Sequence, residues 1–317
     1  MKIAIYGAGG IGGYFGGRLA QAGADVHLVA RGEHLDALRR DGLRVESVHG
    51  DFEVDLPATD DPADIGPCDY VLFTVKSFDT EAAARELRPL LHEETAVISL
   101  QNGIDNERVL AAEIGEEHVL GGVSRIYSTI SEPGTIEHTG GATTVTFGEL
   151  DGSRSDRAER FLEWCDRAGI DATLSADVQA DIWEKFVVIC AYSGLTAAVC
   201  LPIGEIRSTP ETWAMYRRIM EEVRAVGDAE GIALPDDVIE TTLDAVEALE
   251  PDLYSSLHYD MTHGKPMELD ALNGAVVRRG REHGIDVPTN EAIYAILRPW
   301  AVRNQERDEP PPSSPDG

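Results

Sequence analysis

The sequence predicts an α/β protein: an N-terminal Rossmann-type doubly wound sheet followed by an all-α C-terminal domain. Three observations carry this. Residues 1–31, MKIAIYGAGGIGGYFGGRLAQAGADVHLVAR, read as strand, Gly-rich turn, helix and strand. Apolar strands and helices then alternate to about residue 122. From Asp177 onward the pattern is helical throughout. Residues 1–175 are therefore expected to form a dinucleotide-binding domain and 176–303 a helical domain. Residues 304–317, with Pro310-Pro311-Pro312, read as a disordered polar tail.

The elements follow in order. Ile3–Tyr6 and Asp25–Ala30 are short apolar runs suited to buried parallel strands, with a helix over Tyr14–Ala22 between them. His34–Asp41 reads as a helix, and Leu43–Val48 and Asp51–Leu56 alternate like paired strands. An acidic loop over Thr59–Asp64 leads to a buried strand at Tyr70–Val75 and a helix from Thr80 to Leu91. Thr95–Leu100 is a strand, Asn106–Ile114 a helix and Val119–Gly122 another strand. Ser124–Leu150 alternates Thr, Ile and Val, with turns expected at Glu132-Pro133-Gly134 and Gly140-Gly141, and reads as antiparallel strands finishing the sheet. A helix over Arg154–Ala168 and a strand over Ile170–Leu174 close the first half. Ala180–Val199 is too apolar for a surface helix and belongs in a core. Helices are expected near Thr212–Glu230, Asp236–Leu249, Leu269–His283 and Asn290–Arg303, punctuated by prolines.

Net charge is −30, and the basic residues are nearly all Arg; the four lysines are Lys2, Lys76, Lys185 and Lys265. A Lys-poor, acidic surface over an ordinary apolar core suggests solubility in high salt, a halophile-like habit. It also argues against nucleic acid, since no basic stripe exists to neutralise phosphates. The four cysteines show no ligand spacing, and no metal is implied. Met1 opens directly onto a strand and no apolar run is expected to span a membrane, so the chain reads as cytoplasmic. The apolar second half leaves room for a homodimer.

In the turn Gly7-Ala8-Gly9-Gly10-Ile11-Gly12, Gly7 allows the sharp bend, Gly9 the approach of backbone to a pyrophosphate, and Gly12 close helix packing. An NAD site usually ends the second strand in Asp or Glu; here Arg31 follows Ala30. A guanidinium pairs with a 2′-phosphate that a carboxylate would repel, which favours NADP(H). Ligands of open α/β sheets sit beyond the strands' carboxyl ends, so Gly7–Gly12, Val75–Asp79 and Gln101–Gly103 should line one crevice, with the helical domain closing over its nicotinamide end. Lys185, in Trp183-Glu184-Lys185-Phe186, stands where Arg is otherwise used. Unlike a guanidinium, its ammonium can give up a proton, as a general acid must; a lysine snorkelling to water is the plainer alternative.

The ordered pieces GAGGIGGYFGGRLAQAG, LVARGEHLDAL, TVKSFDT, SLQNGIDN, EPGTIEHTG, WEKFVV, LTAAV, SSLHYDMTHGKPMELDALNG and HGIDVPTN resemble the ketopantoate reductase family over nearly all of residues 1–303. The resemblance implies a Rossmann domain followed by a helical one, and NADPH-dependent reduction of 2-dehydropantoate to (R)-pantoate on the way to coenzyme A. It implies that Lys185 is the proton donor and that Asn102 of Gln101-Asn102-Gly103 touches nicotinamide and substrate. Glu268 of Met267-Glu268-Leu269-Asp270 would orient Lys185 near the cofactor, and Ser256 would contact the substrate. Arg31 and Lys76 match positions that approach the 2′-phosphate.

Three positions depart from the family pattern. Ile189, Ser193 and Ile203 stand where relatives commonly have Asn, and Ser193 remains a candidate substrate contact. Two lost amides leave an apolar wall, which can change the preferred substrate by orders of magnitude. The function expected is reduction of a 2-oxo acid, with 2-dehydropantoate the best single choice. The alternatives are a paralogue acting on another 2-oxo acid or carbonyl, and a non-catalytic NADP-binding sensor.

Overall fold

The computed structural model describes residues 1–308. The chain divides into two compact units, Met1–Ile182 and Trp183 onward.

The first unit contains β1 (Lys2–Tyr6), α1 (Gly10–Gln21), β2 (Asp25–Val29), α2 (Gly32–Asp41), β3 (Leu43–Ser47), β4 (Phe52–Val54) and β5 (Ala58–Thr59). It continues with β6 (Tyr70–Phe73), α3 (Thr80–Arg85), β7 (Ala96–Ser99), α4 (Asn106–Ile114), β8 (Val119–Glu132), β9 (Thr135–Glu149), α5 (Asp156–Arg167) and β10 (Asp171–Leu174). The strands form one mixed sheet in the order β4-β3-β9-β8-β7-β6-β1-β2-β5, with β10 also paired to β9. The stretch from β5 to β8 is parallel, as the alternation with helices requires. β8 and β9 then pair antiparallel, and so do β3 and β4.

Residues of the central strands β1 and β6 alternate between the two faces even though these strands are almost wholly apolar. Ile3, Ile5, Tyr70 and Leu72 join a core with α1 and α5, whereas Ala4, Tyr6, Val71 and Phe73 join the core under α3 and α4. The sheet curls around α1, which touches β1, β2, β3, β4, β8 and β9. Its glycines permit this: a Cβ on Gly13, Gly16 or Gly17 would lie 2.7 Å from Ile136, Ile5 or Phe52 respectively.

Several expectations are corrected here. Gly140-Gly141 is no turn; β9 runs through it, and the β8–β9 register shifts around Tyr127, which pairs with Gly140. A Cβ on Gly141 would lie 2.4 Å from the Tyr127 ring, so the glycines make room for a bulge. The helix expected to reach Leu91 stops at Arg85 and is followed by a 3₁₀ turn over Arg88–Leu90, because Pro89 supplies no amide for a continuing α-helix.

The second unit holds the greater part of α6 (Val178–Val199), the boundary falling inside that helix, with α7 (Ile203–Ser208), α8 (Pro210–Ala229), α9 (Val238–Glu247), α10 (Ser256–Thr262), α11 (Asn273–His283) and α12 (Pro288–Asp308). Among the described residues no strand follows β10. The short helices α7 and α10 carry too few periodic positions to stand out in the sequence. The expectation that no run could span a membrane also needs correction: α6 has the length and hydropathy for it, at 22 residues and mean hydropathy 1.4. Of its most apolar window, 67% is buried inside the protein, as in a core helix.

A polar network ties α6, α8, α11 and α12 together. Asn273 Nδ2 donates to Cys190 O at 3.2 Å and to Asn290 Oδ1 at 2.9 Å, and Asn290 Nδ2 donates to Glu222 Oε2 at 2.8 Å. Both asparagines are fully buried, where an unpaired amide would be costly. The expected tail from 304 is corrected in part, since α12 continues to Asp308. Buried Asn304 holds it there, its Nδ2 facing the carbonyls of Asp260, Met261 and Lys265 at 3.0–3.3 Å. The rest of that tail, 309–317, lies outside the described residues.

Candidate active site

In the first unit the chain order reverses at β1, which lies between β2 and β6. That is the switch point at which open α/β sheets bind ligands. The turn after β1 is folded against its neighbours: Gly7 N and Ala8 N both donate to Val29 O, at 3.1 and 3.0 Å, and Thr74 Oγ1 donates to Gly7 O at 2.7 Å. Gly7 has φ +103°, and a Cβ there would lie 2.8 Å from Val75 N, so glycine is required on both counts. A Cβ on Gly12 would lie 2.4 Å from Gly7 O, which fixes the tight seat of α1. On Gly9, by contrast, a Cβ would meet nothing within 4 Å. The backbone there is open, and α1 begins at Gly10 with no side-chain cap on its first amides. Ala8 N and Gly9 N are spent inside the turn, on Val29 O and Gly7 O, so Gly10 and Ile11 present the helix N-terminus to an approaching anion, and the loop fits the pyrophosphate of a dinucleotide.

His34, in α2, braces this loop. Its Nδ1 accepts from Gly134 N at 3.0 Å, so the ring's N–H is on Nε2, which donates to Ala8 O at 2.8 Å. Burial holds its pKa below the usual histidine value against the opposing pull of the Ala8 carbonyl. A neutral imidazole is the form this geometry needs.

Arg31 immediately precedes α2, and its guanidinium lies 3.6 Å from Glu86 Oε2. Lys76 is exposed at the carboxyl end of β6, before a 3₁₀ turn over Ser77–Asp79, and Phe78 in that turn is 50% exposed. Asn102 follows β7, and its carbonyl accepts from Asn106 Nδ2 at 2.9 Å. The two loops are laced together: Gln101 Nε2 donates to Val75 O and to Thr80 Oγ1, both at 2.8 Å, and Thr80 Oγ1 donates to Asn106 Oδ1 at 3.1 Å. Beside this network Glu107 is buried, and desolvation, with Asp105 adding to it, pushes its carboxyl up to about 7 against a hydrogen bond from Ser99. The first unit therefore brings Gly7–Gly12, Arg31, Lys76 and Asn102 to the carboxyl ends of neighbouring strands.

In the second unit Lys185 is half-buried in α6. Ile189 and Ser193 follow it at four-residue steps on the same helix face, with Thr196 next along. Thr196 Oγ1 and Ser255 Oγ lie 2.7 Å apart, which docks α10 on this face. Ser255 also caps α10 by accepting from His258 N at 3.1 Å, whereas Ser256 beside it is exposed. Ser193 and Ile203 are buried at 1% and 0% exposure. Glu268 is buried in a 3₁₀ turn, five residues before the start of α11, and α11 is bonded to α6 through Asn273. Among the described residues no cluster of three His, Cys, Asp or Glu could hold a metal ion.

Two comparisons of the sequence decide the family. Residues 3–152 match the family model described as ketopantoate reductase PanE/ApbA, and residues 177–301 match the model of its C-terminal part. A 2-dehydropantoate 2-reductase of Archaeoglobus fulgidus is 34% identical over 298 residues, covering 94% of this chain and 97% of its own. The chain belongs to the ketopantoate reductase family.

Solved structures agree. A PanE/ApbA family ketopantoate reductase from Ralstonia eutropha JMP134 is 36% identical with TM-score 0.89, covering 96% of this chain and all of its own. A ternary structure of D-mandelate dehydrogenase with NADH and anilino(oxo)acetate, at 24% identity and TM-score 0.88 over 96% of this chain and 100% of its own, shares the fold. As a family member the chain is an oxidoreductase acting on a CH–OH/C=O pair of a small molecule with NAD(P).

Three residues around the cofactor loops carry no signal in the sequence. Glu86 lies 55 positions from Arg31 (86 − 31), His34 reads as one more helix residue, and Glu107 as a surface acid at a helix start. No local pattern marks any of them.

Proposed function

We propose that this chain reduces a 2-oxo acid with NADPH, and that 2-dehydropantoate, giving (R)-pantoate for coenzyme A synthesis, is its substrate. The observation that carries the reading is Lys185, one of four lysines in a chain of 317 residues, half-buried in a mostly apolar helix on a face shared with Ser193. The bound nicotinamide supplies the hydride. Lys185 protonates the oxygen of the carbonyl as it becomes an alkoxide, and Glu268 keeps that ammonium charged and oriented beforehand. Asn102 positions the carbonyl and the nicotinamide amide, while Ser193 and Ser256 bind the substrate's polar groups. Arg31 and Lys76 hold the 2′-phosphate, and the first amides of α1, at Gly10, Ile11 and Gly12, hold the pyrophosphate, with Gly7, Ala8 and Gly9 shaping the turn against it. Residues 1–175 act as the cofactor domain and 176–303 as the substrate domain.

A second reading, reduction of a bulkier or less polar 2-oxo acid, is favoured by Ile189, which is partly exposed and offers methyl groups where an amide would bond a hydroxyl; Ile203 is wholly buried, and there an amide is simply lost. NADPH oxidation with a panel of 2-oxo acids separates the two. Ketopantoate turning over with the highest kcat/KM supports the first reading; a branched or aryl 2-oxo acid ahead by more than about tenfold replaces it. In the same assay Lys185→Ala should lower kcat at least about a hundredfold with NADPH affinity nearly unchanged. Tight NADPH binding without turnover on any substrate would make the chain a sensor.

A further inference from the structure

We propose that Glu86 tunes the cofactor preference of this chain by competing with the cofactor's 2′-phosphate for the guanidinium of Arg31. The inference rests on Arg31 being the residue that meets the phosphate. β2 ends without the acid that accepts from a ribose 2′-hydroxyl, yet the Glu86 carboxylate lies 3.6 Å from the guanidinium that follows β2.

Glu86 directly follows α3, and its Oε2 accepts a hydrogen bond from Tyr6 Oη at 2.5 Å. Tyr6 is the last residue of β1, 2% exposed and stacked on Phe73 with ring centroids 5.6 Å apart. The carboxylate thus hangs from a rigid strand. Arg31 lies 3.6 Å from that oxygen and also reaches the Tyr6 hydroxyl, and it is the more exposed of the pair, 63% against 50%. An exposed ion pair of that length contributes little, so Arg31 can leave it for a dianion that offers two charge-assisted bonds. Glu86 cannot follow, because Tyr6 anchors it. A phosphate drawn to Arg31 is therefore drawn toward a fixed negative charge. NADH carries no phosphate there and escapes the penalty.

Glu86→Gln keeps the Tyr6 hydrogen bond and removes the charge. Titration of the intact protein with NADPH and with NADH, followed by calorimetry, should show Kd for NADPH falling about three- to tenfold at low salt, with Kd for NADH changed less than about twofold. The gain should fade near 1 M NaCl, where charges are screened beyond about 3 Å. Tyr6→Phe, which frees both the carboxylate and the guanidinium from the hydroxyl, should shift NADPH affinity in the same direction by less. NADPH binding that is unchanged or weaker in Glu86→Gln overturns the proposal, since Glu86 would then be orienting Arg31. Arg31→Ala is the separate control. If it leaves NADPH affinity unchanged, the reading of Arg31 itself fails; if it weakens NADPH while Glu86→Gln does not tighten it, only the role of Glu86 falls.

Discussion

Lys185 and Glu107 show how differently two ionisable residues can be legible. Lys185 stands out because a lysine in a mostly apolar helix departs from the chain's preference for Arg; composition marks it, and the family motif then favours a proton donor over a snorkelling lysine. Glu107 has no such contrast; only the fold buries it at the start of α4 and raises its carboxyl to about 7. Its consequence has a definite sign. The folded state binds the Glu107 proton more tightly than the unfolded chain does, so stability is lost as pH rises between the ordinary carboxylate range and about 7. Thermal unfolding from pH 4.5 to 8 should therefore show the wild type losing Tm relative to Glu107→Gln. Parallel curves for the two proteins would mean that Glu107 does not titrate there.

At the scale of elements, α1 is the informative case. Its Gly-rich start was readable as a dinucleotide turn because strand, turn, helix and strand occur in the order required. The glycines further along were not, since their purpose depends on Ile136 in β9 and Phe52 in β4. The same holds for Gly140-Gly141, which looks like a turn and is a bulge making room for Tyr127. Gly12→Ala tests the reading of the turn. Its methyl would sit 2.4 Å from Gly7 O, a backbone atom that cannot move without opening the loop. NADPH affinity should fall by more than about tenfold, and Tm should drop as the overpacked turn costs about 1–3 kcal/mol. An unaltered Kd would show that the loop can relax. α12 carries the converse lesson: a polar stretch read as tail continues as helix to Asp308, because three carbonyls far away in sequence await Asn304.

On the scale of the whole molecule, the net charge of −30 acts on stability without touching the fold class. Self-repulsion of that size should be relieved by screening, so Tm should rise between 0.1 and about 2 M NaCl. The buried pair Arg157–Glu149, whose Nε and Nη2 donate to the two carboxylate oxygens at 2.7 and 2.6 Å, should not be the part that responds. A Tm that is flat or falling with salt would remove the expectation of a high-salt habit.

The sequence by itself determined the architecture, because strand and helix patterns are local and their alternation leaves few ways to build a sheet. It also determined the family and the identity of Lys185, Asn102 and Glu268 as candidates, because those residues sit in ordered motifs. Only the tertiary structure decided what surrounds them: that the sheet curls on α1, that His34 braces Ala8 as a neutral imidazole, and that Glu86 stands beside Arg31. Burial and through-space charge belong to pairs of residues distant in the chain, and no periodicity in one dimension records which pairs those will be.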